Sequence, residues 1–361
     1  MTTTTSEQAL APLLSEFREG RRYALARAIS IVENGRAGFE TLLHELHADL
    51  GRAQRIGITG PPGAGKSTLT SKLALEYRKR DQRVGIVAVD PSSPFTGGAL
   101  LGDRIRMTNI STDPGVFIRS MATRGSLGGL ATSSKEVADL IDAYGFERVI
   151  TETVGVGQSE LEIAETADTT VVVLVPESGD SIQAMKAGLM EVADIFVINK
   201  ADRPGADRLA QELEIMIHMR LGEAQPAAAG HHGVSMKRVG KAARQRSRES
   251  AQEQGGWAIP VLKTVAQTGE GIDELIATLD RHAVYLQESG ELSRRRQRRV
   301  EERVRAVVER ELRRMAWEAG PGEEILEKAL PALETGDESP YTVAARIVRA
   351  LRMEPIEGSG R

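Results

Sequence analysis

Gly60-Pro-Pro-Gly-Ala-Gly-Lys-Ser67 follows directly on the apolar run Ile56–Thr59, and this junction decides how the rest of the chain is read. It fits G-x-x-x-x-G-K-[ST], the spacing of a loop that wraps phosphate groups between a strand and a helix. Gly60 and Gly65 allow backbone conformations that a Cβ would obstruct, so successive N–H groups can face an anion. Lys66 brings an ammonium to the β and γ phosphates, and Ser67 offers a hydroxyl to Mg2+. A helix starting near Thr68 turns its positive end toward the same anion. The expected nucleotide contacts are Gly60, Pro61, Pro62, Gly63, Ala64, Gly65, Lys66, Ser67 and Thr68. A tight glycine turn without a ligand is the plainer reading; the strand before and the helix after favour a bound nucleoside triphosphate.

Outward from this loop, short apolar runs alternate with helix-length amphipathic stretches: Ile56–Thr59, Val84–Val89, Val149–Thr153, Val171–Val175, Ile195–Ile198 and Val261–Val265. That alternation predicts α/β architecture, a doubly wound, mostly parallel sheet of the P-loop type over residues 51–285. Residues 1–50 read as a helical extension, with Leu10, Leu13, Leu14 and Phe17, then Phe39, Leu42, Leu43, Leu46 and Leu50, at helical spacing around a turn at Glu33–Arg36. Residues 286–361 return to helix. There Val300, Val304, Val307, Val308, Leu312 and Met315 form a stripe on a strongly basic segment, which is expected to pack on the main domain or on a second copy as a homodimer. Residues 223–256 break the pattern. Met236–Arg248 carries six basic side chains, so this stretch is either a solvated insertion or a docking surface for an acidic partner.

Composition bounds the functions. The chain has 361 residues, 40% hydrophobic and 27% charged, which is the balance of a globular protein. The longest apolar run falls short of a membrane span, and the N-terminus lacks a basic region followed by an apolar one. With no cysteine, the chain has no disulfide, thiolate metal site or cysteine nucleophile, and a cytoplasmic location is expected. A net charge of −4 gives no global electrostatic case for nucleic acid, and the basic cluster lacks interleaved aromatics for base stacking.

Asn199-Lys-Ala-Asp202 closes the run ending at Ile198 and points to guanine. The Asp202 carboxylate can accept from guanine N1–H and the 2-amino group, neither of which adenine offers. Losing two bonds to a charged group costs roughly 3–6 kcal/mol, a discrimination of about a hundred-fold to ten-thousand-fold. Asn199 is expected near N7, and the Lys200 stem on the base. Val265 and Ala266 stand where GTPases carry a Ser-Ala pair whose backbone reads O6.

Two acidic strand ends point at the phosphates. Asp90 ends Val84–Asp90, and Glu152 opens Glu-x-x-Gly, ending at Gly155, where many GTPases have Asp-x-x-Gly. Ligands of open α/β sheets sit beyond the carboxyl ends of the strands, so both acids are expected to hold Mg2+ and orient water, with Lys66 completing the catalytic set. Capping the next helix is the plainer role for each. Gly155 is placed to sense the γ-phosphate. Val156 follows it, where Ras-like GTPases carry a water-orienting glutamine, so slow turnover is expected without a partner.

These strings, with Gly97-Gly-Ala-Leu-Leu-Gly-Asp-Arg-Ile-Arg-Met107 and Glu152-Thr-Val-Gly-Val-Gly-Gln-Ser-Glu160, resemble the MeaB/ArgK family over roughly residues 10–220 and 257–320. The resemblance implies a homodimeric, GTP- and GDP-binding G-protein chaperone that gates adenosylcobalamin delivery to a cobalamin-dependent acyl-CoA mutase, methylmalonyl-CoA mutase first, and protects that mutase. A mutase acting on isobutyryl-CoA or hydroxyisobutyryl-CoA is the alternative client. It also implies that Asp103 is a switch or Mg2+ residue and that Gly179–Lys186 is a third switch. A metal-ion chaperone, a kinase for a small molecule or transport protein, and a permanently GDP-bound scaffold stay open. His231-His232 is the one adjacent imidazole pair, with a solvated turn as its plainer reading.

Overall fold

The computed structural model describes residues 3–90, 107–122, 132–153, 159–176, 188–220 and 256–351. Among these, seven strands form one sheet: β1 (Gln54–Thr59), β2 (Val84–Asp90), β3 (Val116–Ala122), β4 (Arg148–Thr153), β5 (Thr169–Leu174), β6 (Ile195–Asn199) and β7 (Val261–Thr264). Their order is β3-β2-β4-β1-β5-β6-β7, and every pairing is parallel. The doubly wound reading of the sequence is therefore correct. β5 and β6 are buried at every position, as strands covered on both faces must be.

Among the described residues, the helices of eight residues or more are α1 (Thr3–Arg18), α2 (Arg22–Glu33), α3 (Phe39–Leu46), α4 (Lys66–Lys79), α5 (Thr132–Ala143), α6 (Ser159–Thr166), α7 (Ala206–Arg220), α8 (Ile272–Glu288), α9 (Glu291–Trp317), α10 (Gly322–Thr335) and α11 (Pro340–Leu351). One face of the sheet is sealed by Leu69, Leu73 and Tyr77 of α4 and Leu275, Ile276 and Leu279 of α8, against Ile56, Ile58, Ile150 and Val171. On the other face the N-terminal helices and α5 bury Leu10, Phe17, Leu25, Ile29, Leu42 and Ile141 with Val87, Val89 and Val149. The helical extension thus completes a two-sided sandwich. Phe17 meets Tyr144 edge-to-face at 5.2 Å, a contact worth about 0.5–1.5 kcal/mol beyond its burial.

Two features differ from the sequence expectation. Gly20, at φ 78°, separates the first apolar helix from a second, so the extension holds three α-helices among the described residues. The edge strand β3 went unseen because Arg119 and Ser120 interrupt its apolar run. It nevertheless pairs with β2 from Val84–Val116 to Asp90–Ala122, and Arg119 is paired with Glu33 of α2.

The step from the extension into β1 is fastened by a buried carboxylate. Asp142 accepts the N–H groups of Gly51, Arg52 and Ala53 at 3.0, 3.1 and 2.9 Å. It also pairs with Arg55 at 2.7 Å, and Arg55 reaches Asp139 at the same distance. Burial opposes the Arg55 charge, but the two carboxylates outweigh it and hold the guanidinium above its ordinary range.

The chain divides into two compact units, residues 1–295 and 296–361. In the second, α10 and α11 pair over a small core of Ala329, Val343 and Ile347. No residue of α9 is buried. Among the described residues no helix is long and apolar enough to cross a membrane.

A buried imidazole at the far end of the sheet makes stability depend on pH. His282 of α8 shows no exposed surface, its Nδ1 lies 2.9 Å from Thr169 Oγ1, and its ring stacks on Tyr285 and meets Trp257 at a tilt. Burial lowers its pKa to about 4. The Asp194 carboxylate, 3.5 Å away, opposes this, while Arg295, which holds Asp194 at 2.8 and 2.9 Å, adds to the lowering. The folded pKa lies below the unfolded one, so the unfolded chain binds the extra proton. Stability should therefore fall as pH drops from about 6.5 to about 4, by roughly 3 kcal/mol from this residue. Urea unfolding at pH 7 and at pH 4.5 checks this: equal stabilities contradict it, and His282→Gln should flatten the decline.

Candidate active site

Parallel strands deliver their carboxyl ends to one edge, and most of the described candidate residues lie there. The phosphate loop leaves β1 and enters α4 at Lys66, two residues before the start expected from sequence. Gly60 sits at φ 133°, where a Cβ would run into the Val173 carbonyl of β5, and Gly65 sits at φ 88°, where a Cβ would strike the Asn199 carboxamide. No other residue fits at either position. Pro61, Pro62, Gly63 and Ala64 lie between β1 and α4, with Pro61 and Ala64 buried and Pro62 and Gly63 exposed. Lys66 is 5% exposed, and its ammonium donates to the carbonyls of Gly60 at 2.7 Å and Pro61 at 3.0 Å, so the charge is folded over the loop.

Beside it, Ser67 donates its hydroxyl to Glu152 Oε1 at 2.6 Å, and both residues are buried. Ser67 belongs to α4 and Glu152 to β4, so the phosphate loop and the Glu-x-x-Gly strand meet at this bond. Thr68 continues the first turn of α4 and is exposed. Asp90 closes β2 in register with Ala122.

The base end is tied to the phosphate end through Asn199. Its Nδ2 donates to Ala64 O at 2.8 Å, while Oδ1 accepts Ala266 N at 3.0 Å and Thr264 Oγ1 at 3.2 Å. Lys200, at φ 56°, donates from Nζ to Gly63 O at 2.9 Å. Asp202 stands exposed on the same turn. Val265 N–H bonds to Glu270 O at 3.0 Å. Sequence reading placed Asn199 near the base without seeing this strap. The signal for it was Gly65, whose missing Cβ leaves room for the carboxamide. Asp103, Gly155, Val156, the third-switch segment Gly179–Lys186, the insertion at 223–256 up to residue 255 and His231-His232 lie outside the described residues.

A parallel sheet with a glycine-bounded phosphate loop after its central strand and Asn-Lys-x-Asp at the end of β6 defines a P-loop GTPase, and the chain hydrolyses GTP. More particularly, it belongs to the MeaB family: residues 25–321 match the family described as methylmalonyl Co-A mutase-associated GTPase MeaB. A putative GTPase of Pyrococcus horikoshii is 45% identical over 301 residues, covering 83% of this chain and 86% of that protein. The mouse protein named methylmalonic aciduria type A homolog, mitochondrial, is 34% identical over 294 residues, 77% of this chain and 64% of its own length. A crystal structure described as LAO/AO transport system kinase superposes with a TM-score of 0.63 at 26% identity, covering 96% of this chain and 99% of that one.

Proposed function

We propose that the GTPase cycle of this chain serves a cobalamin-dependent acyl-CoA mutase, methylmalonyl-CoA mutase first, by gating delivery of adenosylcobalamin and protecting the enzyme. The family description and the mouse relative's name support this reading. The observation that supports the chemistry is the Ser67–Glu152 contact, a hydroxyl and a carboxylate together at the start of the helix that also carries Lys66. In the proposed arrangement Lys66 stabilises charge on the β and γ phosphates as water attacks in line. Asp202 accepts from guanine, Val265 and Ala266 line the base, and Asn199 holds the base loop to the phosphate loop. Gly155 senses the γ-phosphate, and the segments around Asp103 and Gly179–Lys186 carry nucleotide state to the client.

The donor set fits Mg2+, a hard cation that takes oxygen ligands and keeps several for phosphate and water. Ser67 and Glu152 would hold it, with Asp90 and Asp103 around them, and it would neutralise charge on the phosphate oxygens. A second copy of the chain is the proposed cover for α9. Val300, Val304, Val308, Leu312 and Met315 all stay exposed on that helix, which supports a homodimer.

Val156 cannot orient water as a glutamine does. Phosphate release by the isolated protein with Mg2+ should therefore run below roughly one turnover per second, and a faster rate contradicts this. The client is tested by co-purification with candidate mutases, with GDP or a non-hydrolysable GTP analogue. Nucleotide-dependent capture of a methylmalonyl-CoA mutase is expected. Capture of an isobutyryl- or hydroxyisobutyryl-CoA mutase instead moves the client, and capture of none overturns the reading.

A further inference from the structure

Glu152 of β4 is held by Ser67 of α4 on one face of the sheet, and on the opposite face β4 is joined to β1 by a bond with no assigned role. Thr153 donates its hydroxyl to the hydroxyl of Thr59 at 3.0 Å. Thr59 is the last residue before Gly60, and Thr153 directly follows Glu152. The register that sets Ile58 opposite Glu152 brings Thr59 and Thr153 side by side. Both are buried, at 0% and 1% exposure. Successive side chains of a strand alternate between faces, so the Ser67 and Thr59 bonds flank β4 from both sides. On the Thr153 face α6 presses on the neighbouring strand β1, since a Cβ on Gly57 would lie 2.8 Å from Ile163 Cγ1. Valine has nearly the shape of threonine without its hydroxyl, and two dry hydroxyls are unfavourable unless hydrogen-bonded.

We propose that Thr153 and Thr59 are positioning residues for GTP hydrolysis: their hydroxyl pair fixes the end of β4 against the root of the phosphate loop, so that Glu152 is presented at a set depth. This rests on the reading of Glu152 given above. Neither threonine touches the nucleotide in this account; each acts through Glu152 and the loop.

The test uses the full chain with GTP and Mg2+, comparing Thr153→Val, Thr153→Ser, Thr59→Val, the double valine variant and Glu152→Ala. Steady-state kcat, KM and the thermal midpoint are measured for each. Thr153→Val and Thr59→Val should each lower kcat about ten-fold and leave KM within about two-fold, because displacement of a reacting group acts on the chemical step. Thr153→Ser should keep kcat within about two-fold of wild type. The double variant should regain thermal stability, with both polar partners gone, yet keep the low kcat. That variant also carries the test if the single one does not fold. The proposal is overturned if the valine variants turn over at the wild-type rate, if serine loses as much as valine, or if the double variant regains kcat. If Glu152→Ala lowers kcat while the threonine variants do not, only the positioning claim fails. If Glu152→Ala itself leaves kcat unchanged, the reading of Glu152 fails with it.

Discussion

Lys66→Ala is expected to lower kcat for GTP hydrolysis by about a hundred-fold to a thousand-fold in a protein that still folds. The ammonium is buried at the root of α4, directed along the loop by the Gly60 and Pro61 carbonyls at 2.7 and 3.0 Å. Once turned from those carbonyls to the bound phosphates, the ammonium stabilises developing charge, and removal of one such donor commonly has an effect of this size. Lys66→Arg should not rescue the rate, because a planar guanidinium cannot replace a compact ammonium in so confined a place. Single-turnover phosphate release, with circular dichroism to confirm the fold, decides the matter. A loss of less than ten-fold would remove Lys66 from the catalytic set.

Asp202→Asn should abolish the preference for guanine. The carboxylate accepts two hydrogen bonds from the base, whereas a carboxamide turns a donor toward at least one of guanine's own donors. The loss is about 3–6 kcal/mol, or roughly a hundred-fold to ten-thousand-fold in GTP affinity. Xanthine carries a carbonyl where guanine carries its 2-amino group, so the variant should gain affinity for xanthosine triphosphate. Asp202 is exposed, and its replacement should leave thermal stability near wild type. Calorimetric titration with both nucleotides checks the exchange; unchanged GTP affinity would move base recognition elsewhere.

The phosphate loop was legible because glycine has positional meaning: at Gly60 and Gly65 the backbone and its neighbours tolerate nothing larger. Strands β5 and β6 were legible for a related reason, since burial on both faces leaves an unbroken apolar run. β3 hides because an edge strand is free to carry Arg119, whose partner Glu33 lies 86 residues away. No local pattern announces a bond across such a separation. The same limit applies at the site. Asn199 could be read as part of a base-recognition tetrapeptide, but its strap to Ala64 and Ala266 spans three segments of the chain. Glu152 could be read as a strand-end acid, yet its contact with Ser67 follows only from the pairing of β1 with β4. Tertiary hydrogen bonds, more than secondary structure, were what the sequence left unread.

The central claim is that one end of this site grips a triphosphate and the other selects guanosine. Direct titration of the wild-type chain with GTP and ATP in the presence of Mg2+ tests it. GTP should bind at least a hundred-fold more tightly than ATP. Equal affinities, or no binding of either nucleotide, would contradict the account.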